Sequence, residues 1–386
     1  MYDILIRRAN VDGRITDIGI SDGTVTAMAE TLLGPAELEF DAAGRVAVPG
    51  LVDCHLHMDK ALLNERAAYV DGDGGAKGAL TRGEKAKFTV EDITERAERI
   101  IKREIRSGAI AVRTNVDVDA IVKLKGVEAM LALREKYRGI LDIQVAAFSQ
   151  EGIFSDGETE KLLPESLEMG ADLIGGHTIT CGEGERHIDY ILQLAKRYGV
   201  DADFHLDESG KRENYLLPYT VDKALKMGLE GRVNAIHMCT LAVLTPEERK
   251  RAIELLSEGG FAATIAPTAI STRRIAPVKE LVGGGITVGL GSDNIRDFFN
   301  PLGSGDVKQV ALLLSYIQRF FTDEEVDSVW EMLTCGGARL LRLEEYGISE
   351  SAAANVTVFD AATPREVLAY QAQPVLIVRS GKVIEQ

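Results

Sequence analysis

Residues 91 to 116 read EDITERAERIIKREIRSGAIAVRTNV, and within this stretch an amphipathic helix runs directly into a strand. Ile93, Ala97, Ile100, Ile101 and Ile105 recur at helical spacing, Gly108 supplies the stop, and AIAVRTNV follows as a β-rich run. The same cadence returns as GVEAMLALREKYRG then ILDIQVAAF, PESLEMG then ADLIGG, and HIDYILQLAKRYG then VDADFHL. It continues as DKALKMGLEG then RVNAIHM, TPEERKRAIELLSEGG then FAATIAP, and PVKELVGGG then ITVGLGS. With VPGLVDCHLH near residue 50, eight strands are counted, which is the number in a (β/α)8 TIM-like barrel.

The strand ends support this reading independently. They fall at His57, Asn115, Gln150, His177, His205, His237, Pro267 and Asp293, and from Asn115 onward the intervals are 35, 27, 28, 32, 30 and 26 residues. Barrels carry their sites at the C-terminal ends of the strands, so apolar strands of which seven in eight finish in a polar residue outline a site. A doubly wound open sheet, the structural alternative, gathers its ligand at one switch point and leaves most strand ends without polar residues.

Both ends of the chain differ from its middle. Residues 1–49 read as short strands with turns, as does the tail NVTVFDAATP…PVLIVRSGKVIEQ, and neither segment is long enough for a robust core alone. They are expected to pair into a small β-sandwich domain, 1–49 plus 350–386, beside a catalytic barrel over 50–349. The stretch 71–87, DGDGGAKGALTRGEKAK, reads either as a lid over the barrel mouth or as a flexible surface loop.

Composition narrows the partners. In 386 residues Lys+Arg total 44 against Asp+Glu 60, for a net charge of −16, so a surface that repels phosphate backbones argues against a nucleic-acid polymer. No apolar run reaches the roughly 18 residues a membrane span needs, and the start MYDILIRRANVDG lacks a signal-peptide pattern. A cytoplasmic protein with a small-molecule ligand is expected; the sequence leaves room for a homo-oligomer. The four cysteines, Cys54, Cys181, Cys239 and Cys335, are too scattered to suggest a disulfide framework or a thiolate zinc site.

His55 and His57 in DCHLHMDK are one residue apart on a predicted strand and therefore share a face. Alone, this pair is weak evidence for a metal, since either ring could be a hydrogen-bonded core residue. His205, His237 and Asp293 at other strand ends of the same mouth strengthen it, because structural histidines have no reason to collect there. Signatures of other chemistries are missing: there is no H-x-E with P-C-x-x-C, no H-E-x-x-H and no G-x-S-x-G. Gly78 to Gly83 has phosphate-loop spacing, but Glu84 stands where the lysine must be. His187, just before a helical pattern, is expected at the surface, and Trp330 in the core.

With PGLVDCHLH, the later strand-end histidines and the final SDN, the chain resembles the metal-dependent amidohydrolase superfamily. HMDK, RTNVDVD, IQVAAFSQEG, GADLIGG, FHLDE and GSDNIRDFFNPLG are similar to its cytosine deaminase branch and to the related N-isopropylammelide hydrolases. The resemblance implies that His55, His57, His205 and Asp293 hold one divalent metal ion, with zinc favoured and iron or manganese also suited to the ligands. It implies that His237 orients the attacking hydroxide and that Asp293 accepts its proton. Glu208 would shuttle a proton to the ring nitrogen, its alternative being a solvated loop acid. Gln150 would read the amide edge of the base, its alternative being a loop-capping amide. His177 either touches substrate or hydrogen-bonds in the mouth. Its place at the fourth strand end, where relatives with two metals carry a lysine, implies a mononuclear site.

Two departures concern the ring. Asn294 follows the metal-binding Asp293 where cytosine deaminases commonly carry a second acid, and Asn115 stands in R-T-N-V-D where they carry a histidine. The expected activity is hydrolytic deamination of a cytosine-like heterocycle. The alternative is removal of an amine or alkylamine from an s-triazine, or deamination of a cyclic amidine such as creatinine.

Overall fold

A computed structural model describes residues 1–69, 74–179 and 182–385. Residues 71–73 of the expected lid segment and Cys181 lie outside the described residues. The chain opens with strands β1 (Tyr2–Val11), β2 (Arg14–Ser21), β3 (Thr24–Ala29), β4 (Ala36–Asp41) and β5 (Ala47–Val48). Next come β6 (Leu51–Leu56), β7 (Ala109–Asp117), β8 (Asp142–Ser149), β9 (Leu173–His177) and β10 (Asp201–Leu206). After these lie β11 (Val233–His237), β12 (Ala262–Ile265) and β13 (Val288–Leu290), and the chain ends with β14 (Val356–Phe359), β15 (Pro374–Arg379) and β16 (Lys382–Val383).

β6 to β13 form one eight-stranded sheet in sequence order, and each neighbouring pair of strands in it is parallel. A parallel bridge between Leu56 and Asp293 brings its two edges together. There the Asp293 amide donates to His55 O at 2.8 Å and the His57 amide donates to Asp293 O at 3.3 Å. Gly291 permits this approach, since a Cβ there would meet the His55 Cβ at 2.6 Å and its carbonyl oxygen at 2.7 Å. The fold is thus a (β/α)8 barrel, and the contact that closes it joins the first pair of strand-end histidines to the last strand-end carboxylate.

Helices cover the barrel as the periodicity predicts. In the helix Val90–Ser107, Ile93, Ala97, Ile100, Ile101 and Ile105 are buried, and the Thr89 hydroxyl caps the start by accepting from the Asp92 amide. Burying such a face contributes about 25 cal/mol per Å² of apolar surface, which anchors the connections while leaving the barrel mouth free for polar groups. The termini form two further four-stranded sheets, ordered β3-β2-β1-β4 and β16-β15-β14-β5. Ile4, Ile6, Ile18, Ile20, Val356, Val358, Leu376 and Val378 share one apolar cluster between them. The tail also contains a helix, Pro364–Tyr370, within the stretch read as strands. No helix among the described residues is long and apolar enough to cross a membrane.

The structure corrects the reading of His187, which is fully buried. It lies in the helix Gly184–Tyr198 with Ile188, Ile191, Leu192 and Ala195 on the buried face, and it fills the space beside Gly176, where a Cβ would meet the ring Nε2 at 2.1 Å. Burial, with a smaller contribution from His177, lowers its pKa to about 3. Half-buried Trp330 packs edge-on to Phe359 with ring centroids 6.1 Å apart.

Candidate metal and substrate site

At the C-terminal mouth, the strand ends converge as their sequence positions suggest. His55 Nε2 lies 3.3 Å and His57 Nε2 3.6 Å from Asp293 Oδ1, while His205 Nε2 lies 3.4 Å from His57 Nε2. His55, His57 and His205 form one cluster with metal-ligand spacing; His55, His237 and Asp293 form another. All five side chains are buried.

Hydrogen bonds decide which nitrogen atoms are free. Asn115 donates through Nδ2 to Asp203 Oδ2 at 2.9 Å, and Asp203 Oδ1 also accepts from Arg113 at 3.1 Å and Asn234 at 2.7 Å. With its amide nitrogen committed, Asn115 can present only Oδ1 to His55 Nδ1, 2.8 Å away, so Nδ1 carries the proton. His57 Nδ1 is held by the Asn115 backbone carbonyl at 2.9 Å. Both Nε2 atoms therefore face the cluster, and against the opposing effect of burial Asp293 raises the His55 pKa. Burial is the main cause keeping the pKa values of His57 and His205 well below the usual histidine range, reinforced by Lys60 and His55 at His57 and by His55 and His237 at His205. For Asp293 burial opposes charge, yet His55, His237 and His57 outweigh it and hold the carboxyl well below its ordinary range. Imidazole nitrogens converging on an ionised carboxylate are a donor set that fits a divalent cation, which would take the place of any proton they share.

The backbone is strained at the same place. His237, at φ 71°, and Asp293, at φ 61°, occupy the left-handed region, which costs about 1 kcal/mol or more per residue and is retained where surrounding structure enforces it.

Above the cluster lies a cavity of about 630 Å³ whose wall includes Gln150, His177, Glu208, Arg273, Asn294 and Phe299. Glu208 Oε2 is 2.8 Å from His177 Nε2 and 4.0 Å from His237 Nε2, and Oε1 pairs with Arg273. Burial disfavours the Glu208 charge, but Arg273, His237 and His177 hold the carboxyl well below its ordinary range. Preceding Asp207 accepts from the Leu216 and Leu217 amides at 2.6 and 3.2 Å, which pins the loop carrying Glu208. Asn294 donates to Asp297 at 2.5 Å, and its side-chain oxygen has no hydrogen-bond donor among the described residues. The structure thus gathers Gln150, His177, Glu208, His237, Asp293 and Asn294 around one space.

Several contributors escaped the sequence reading. Arg273, in an irregular segment after the 3-10 turn Pro267–Ser271, pairs with Glu208 only through the tertiary fold. Residues 74–85 form a helix whose Lys77, Gly78, Thr81 and Arg82 line the cavity. This helix is tied down by fully buried Lys85, which pairs with Asp117 at 2.7 Å and with Asp119, while Lys60 reaches the other Asp117 oxygen at 2.6 Å. Arg82 pairs with Glu151 at 3.1 Å. Lys60 stands in the HMDK segment and was available to be read.

Residues 38–384 match the model of the amidohydrolase family. N-isopropylammelide isopropyl amidohydrolase from Pseudomonas sp. (strain ADP) is 33% identical, the match covering 99% of this chain and 97% of that one. Pterin deaminase from Rhizobium rhizogenes is 26% identical over 96% and 88% of the two chains. Among solved structures, 5-methylcytosine deaminase from Klebsiella pneumoniae liganded with phosphonocytosine superposes with a TM-score of 0.91 at 28% identity, covering 99% of this chain and 98% of that one. N-isopropylammelide isopropylaminohydrolase from Burkholderia multivorans gives a TM-score of 0.91 at 29% identity, covering 100% and 98%.

The chain belongs to the amidohydrolase family, which is metal-dependent. Within it, the protein is a C–N bond hydrolase.

Proposed function

We propose that the protein is a hydrolytic deaminase of a cytosine-like heterocycle, with one divalent metal held by His55, His57, His205 and Asp293. When bound, such a metal supplies Lewis-acid polarisation and lowers the pKa of water from about 15.7 towards 7. The observation that carries the reading is the position of Glu208. It is a buried carboxylate outside the proposed ligand set, with Oε2 2.8 Å from His177 and 4.0 Å from His237, on the wall of the cavity that opens onto the ligands.

Arg273 keeps Glu208 ionised at neutral pH, the form that can accept a proton. Because Arg273 engages Oε1, Oε2 is the atom that takes one proton from the attacking water and delivers it to the ring nitrogen beside the amino-bearing carbon. Such proton transfer contributes about 10² to 10⁴ in rate. His237, fixed in a left-handed conformation at its strand end, directs Nε2 toward the same region and supplies a hydrogen bond to the developing tetrahedral centre. Asp293 takes the second proton, from the hydroxyl on the tetrahedral carbon, and passes it to the amino group, which leaves as ammonia. Gln150 pairs with the lactam edge, where an amide matches adjacent donor and acceptor atoms. The Asn294 side-chain oxygen, with no donor among the described residues, accepts from a ring N–H or amino group.

A second reading is release of an amine or alkylamine from an s-triazine. It is supported by Asn294 in place of an acid and by 33% identity to an N-isopropylammelide hydrolase. A screen for release of ammonia or alkylamine over cytosine, 5-methylcytosine, isoguanine, ammelide, N-isopropylammelide, creatinine and pterin separates the two. Ammonia from a cytosine-like ring supports the first reading; amine release confined to triazines replaces it with the second.

A further inference from the structure

Among the described residues, charge matching around the cavity leaves one cation over. Its wall contains three Lys or Arg side chains, Lys77, Arg82 and Arg273. Arg82 has Glu151 at 3.1 Å and Arg273 has Glu208. Asp293, the third carboxylate of the wall, faces the histidines. Lys77 has no carboxylate within ion-pair distance among the described residues, although it is only 6% exposed. Its ammonium group lies 5.4 Å from the centroid of the Tyr69 ring. A cation–π contact of this kind offsets part of the desolvation cost but does not neutralise the charge.

Lys77 is also held in place. It shares a helical face with Thr81, whose hydroxyl donates to the Lys77 carbonyl at 2.9 Å, and the helix is fixed to the barrel through Lys85, Asp117 and Asp119. A buried, positioned ammonium on a cavity wall, with no counter-charge among the described residues, is suited to receive one from a ligand. We propose that Lys77 is a specificity-determining residue that reads an anionic oxygen on the substrate ring, so that the preferred substrate is a negatively charged heterocycle. This rests on the deaminase reading above for the identity of the site as the substrate site. The anionic oxygen has two chemical sources, a carboxylate substituent or an ionised ring oxygen.

Calorimetric binding to the metal-loaded protein distinguishes them. The first arm compares cytosine with cytosine-5-carboxylate, and the second compares ammelide at pH values below and above ionisation of its ring oxygen. Wild type, Lys77→Gln and Lys77→Arg are measured in each arm. The expected result is that the anionic member of at least one pair binds wild type more tightly than the neutral member and loses about tenfold or more in Lys77→Gln, the scale of one charge-assisted hydrogen bond. Lys77→Arg restores that affinity, and neutral rings bind all three proteins alike. Equal binding of the anionic member to wild type and Lys77→Gln, or no preference for charge in either pair, overturns the proposal. The two readings fail separately. Charge-dependent binding through Lys77 without ammonia release contradicts the deaminase reading alone, whereas ammonia release from a neutral ring at equal kcat/KM in all three proteins, with no anion preference, contradicts the role of Lys77 alone.

Discussion

The Nδ1 atom of His55 faces the Oδ1 atom of Asn115 at 2.8 Å, and that contact sets which histidine nitrogen is available to a metal. Asn115 is itself oriented by Asp203 at 2.9 Å, deep in the barrel. Asn115→Ala should therefore weaken metal binding about 10- to 100-fold, the usual cost of losing a residue that orients a ligand, while leaving the four ligands intact. Competition with a chelator of known affinity reads this directly. An unchanged dissociation constant would mean that the barrel walls alone fix the ring.

Glu208→Gln keeps the shape of the side chain and removes the proton carrier. Metal content should be unchanged, while kcat on the best substrate falls by about 10² to 10⁴. Steady-state kinetics paired with elemental analysis checks both halves. Near-wild-type turnover would return Glu208 to the role of a loop acid, and joint loss of metal and activity would make it a support for the ligands.

Lys85 should act as the anchor of the helix Gly74–Lys85. Lys85→Met leaves Asp117 and Asp119 with one fewer buried counter-charge, and breaking a buried pair on one side costs about 3 to 5 kcal/mol. Lys60 still serves Asp117, which places the expected loss toward the lower end. Hydrogen exchange should show the helix opening in the variant before the barrel does. Equal protection in both proteins would argue that the apolar contacts of the helix hold it.

His187 makes a prediction about acid. Its pKa is lowered by burial to about 3, so between that value and the ordinary 6.5 the unfolded chain binds a proton that the folded chain does not. Folding stability from this residue is therefore lost as pH falls through 6.5, by about 2 kcal/mol between pH 7 and pH 5. His187→Leu should reduce the difference in unfolding free energy between those two pH values by about that amount, whatever it does to absolute stability. Urea titrations at both values measure it, and an identical pH dependence in the variant would contradict neutral burial.

The barrel was legible because its two signals are local: helical periodicity alternating with apolar runs, and a polar residue at nearly every strand end. The misplacement of His187 was avoidable, since His187, Ile188, Ile191, Leu192 and Ala195 lie on one helical face and the pattern ran through the histidine. The helix Gly74–Lys85 was less accessible. Gly74, Gly75, Gly78 and Gly83 lower its intrinsic propensity, and ion pairs with residues more than thirty positions away hold it in place. Arg273 was hidden for a related reason, because its partner Glu208 is 65 residues earlier and no local pattern links them.

The central claim is that His55, His57, His205 and Asp293 hold a single divalent metal ion. Elemental analysis of purified wild type and of His55→Ala tests it most directly. The account predicts close to one equivalent per chain in the wild type and almost none in a folded His55→Ala variant. Two equivalents in the wild type, or full metal content in the variant, would contradict it.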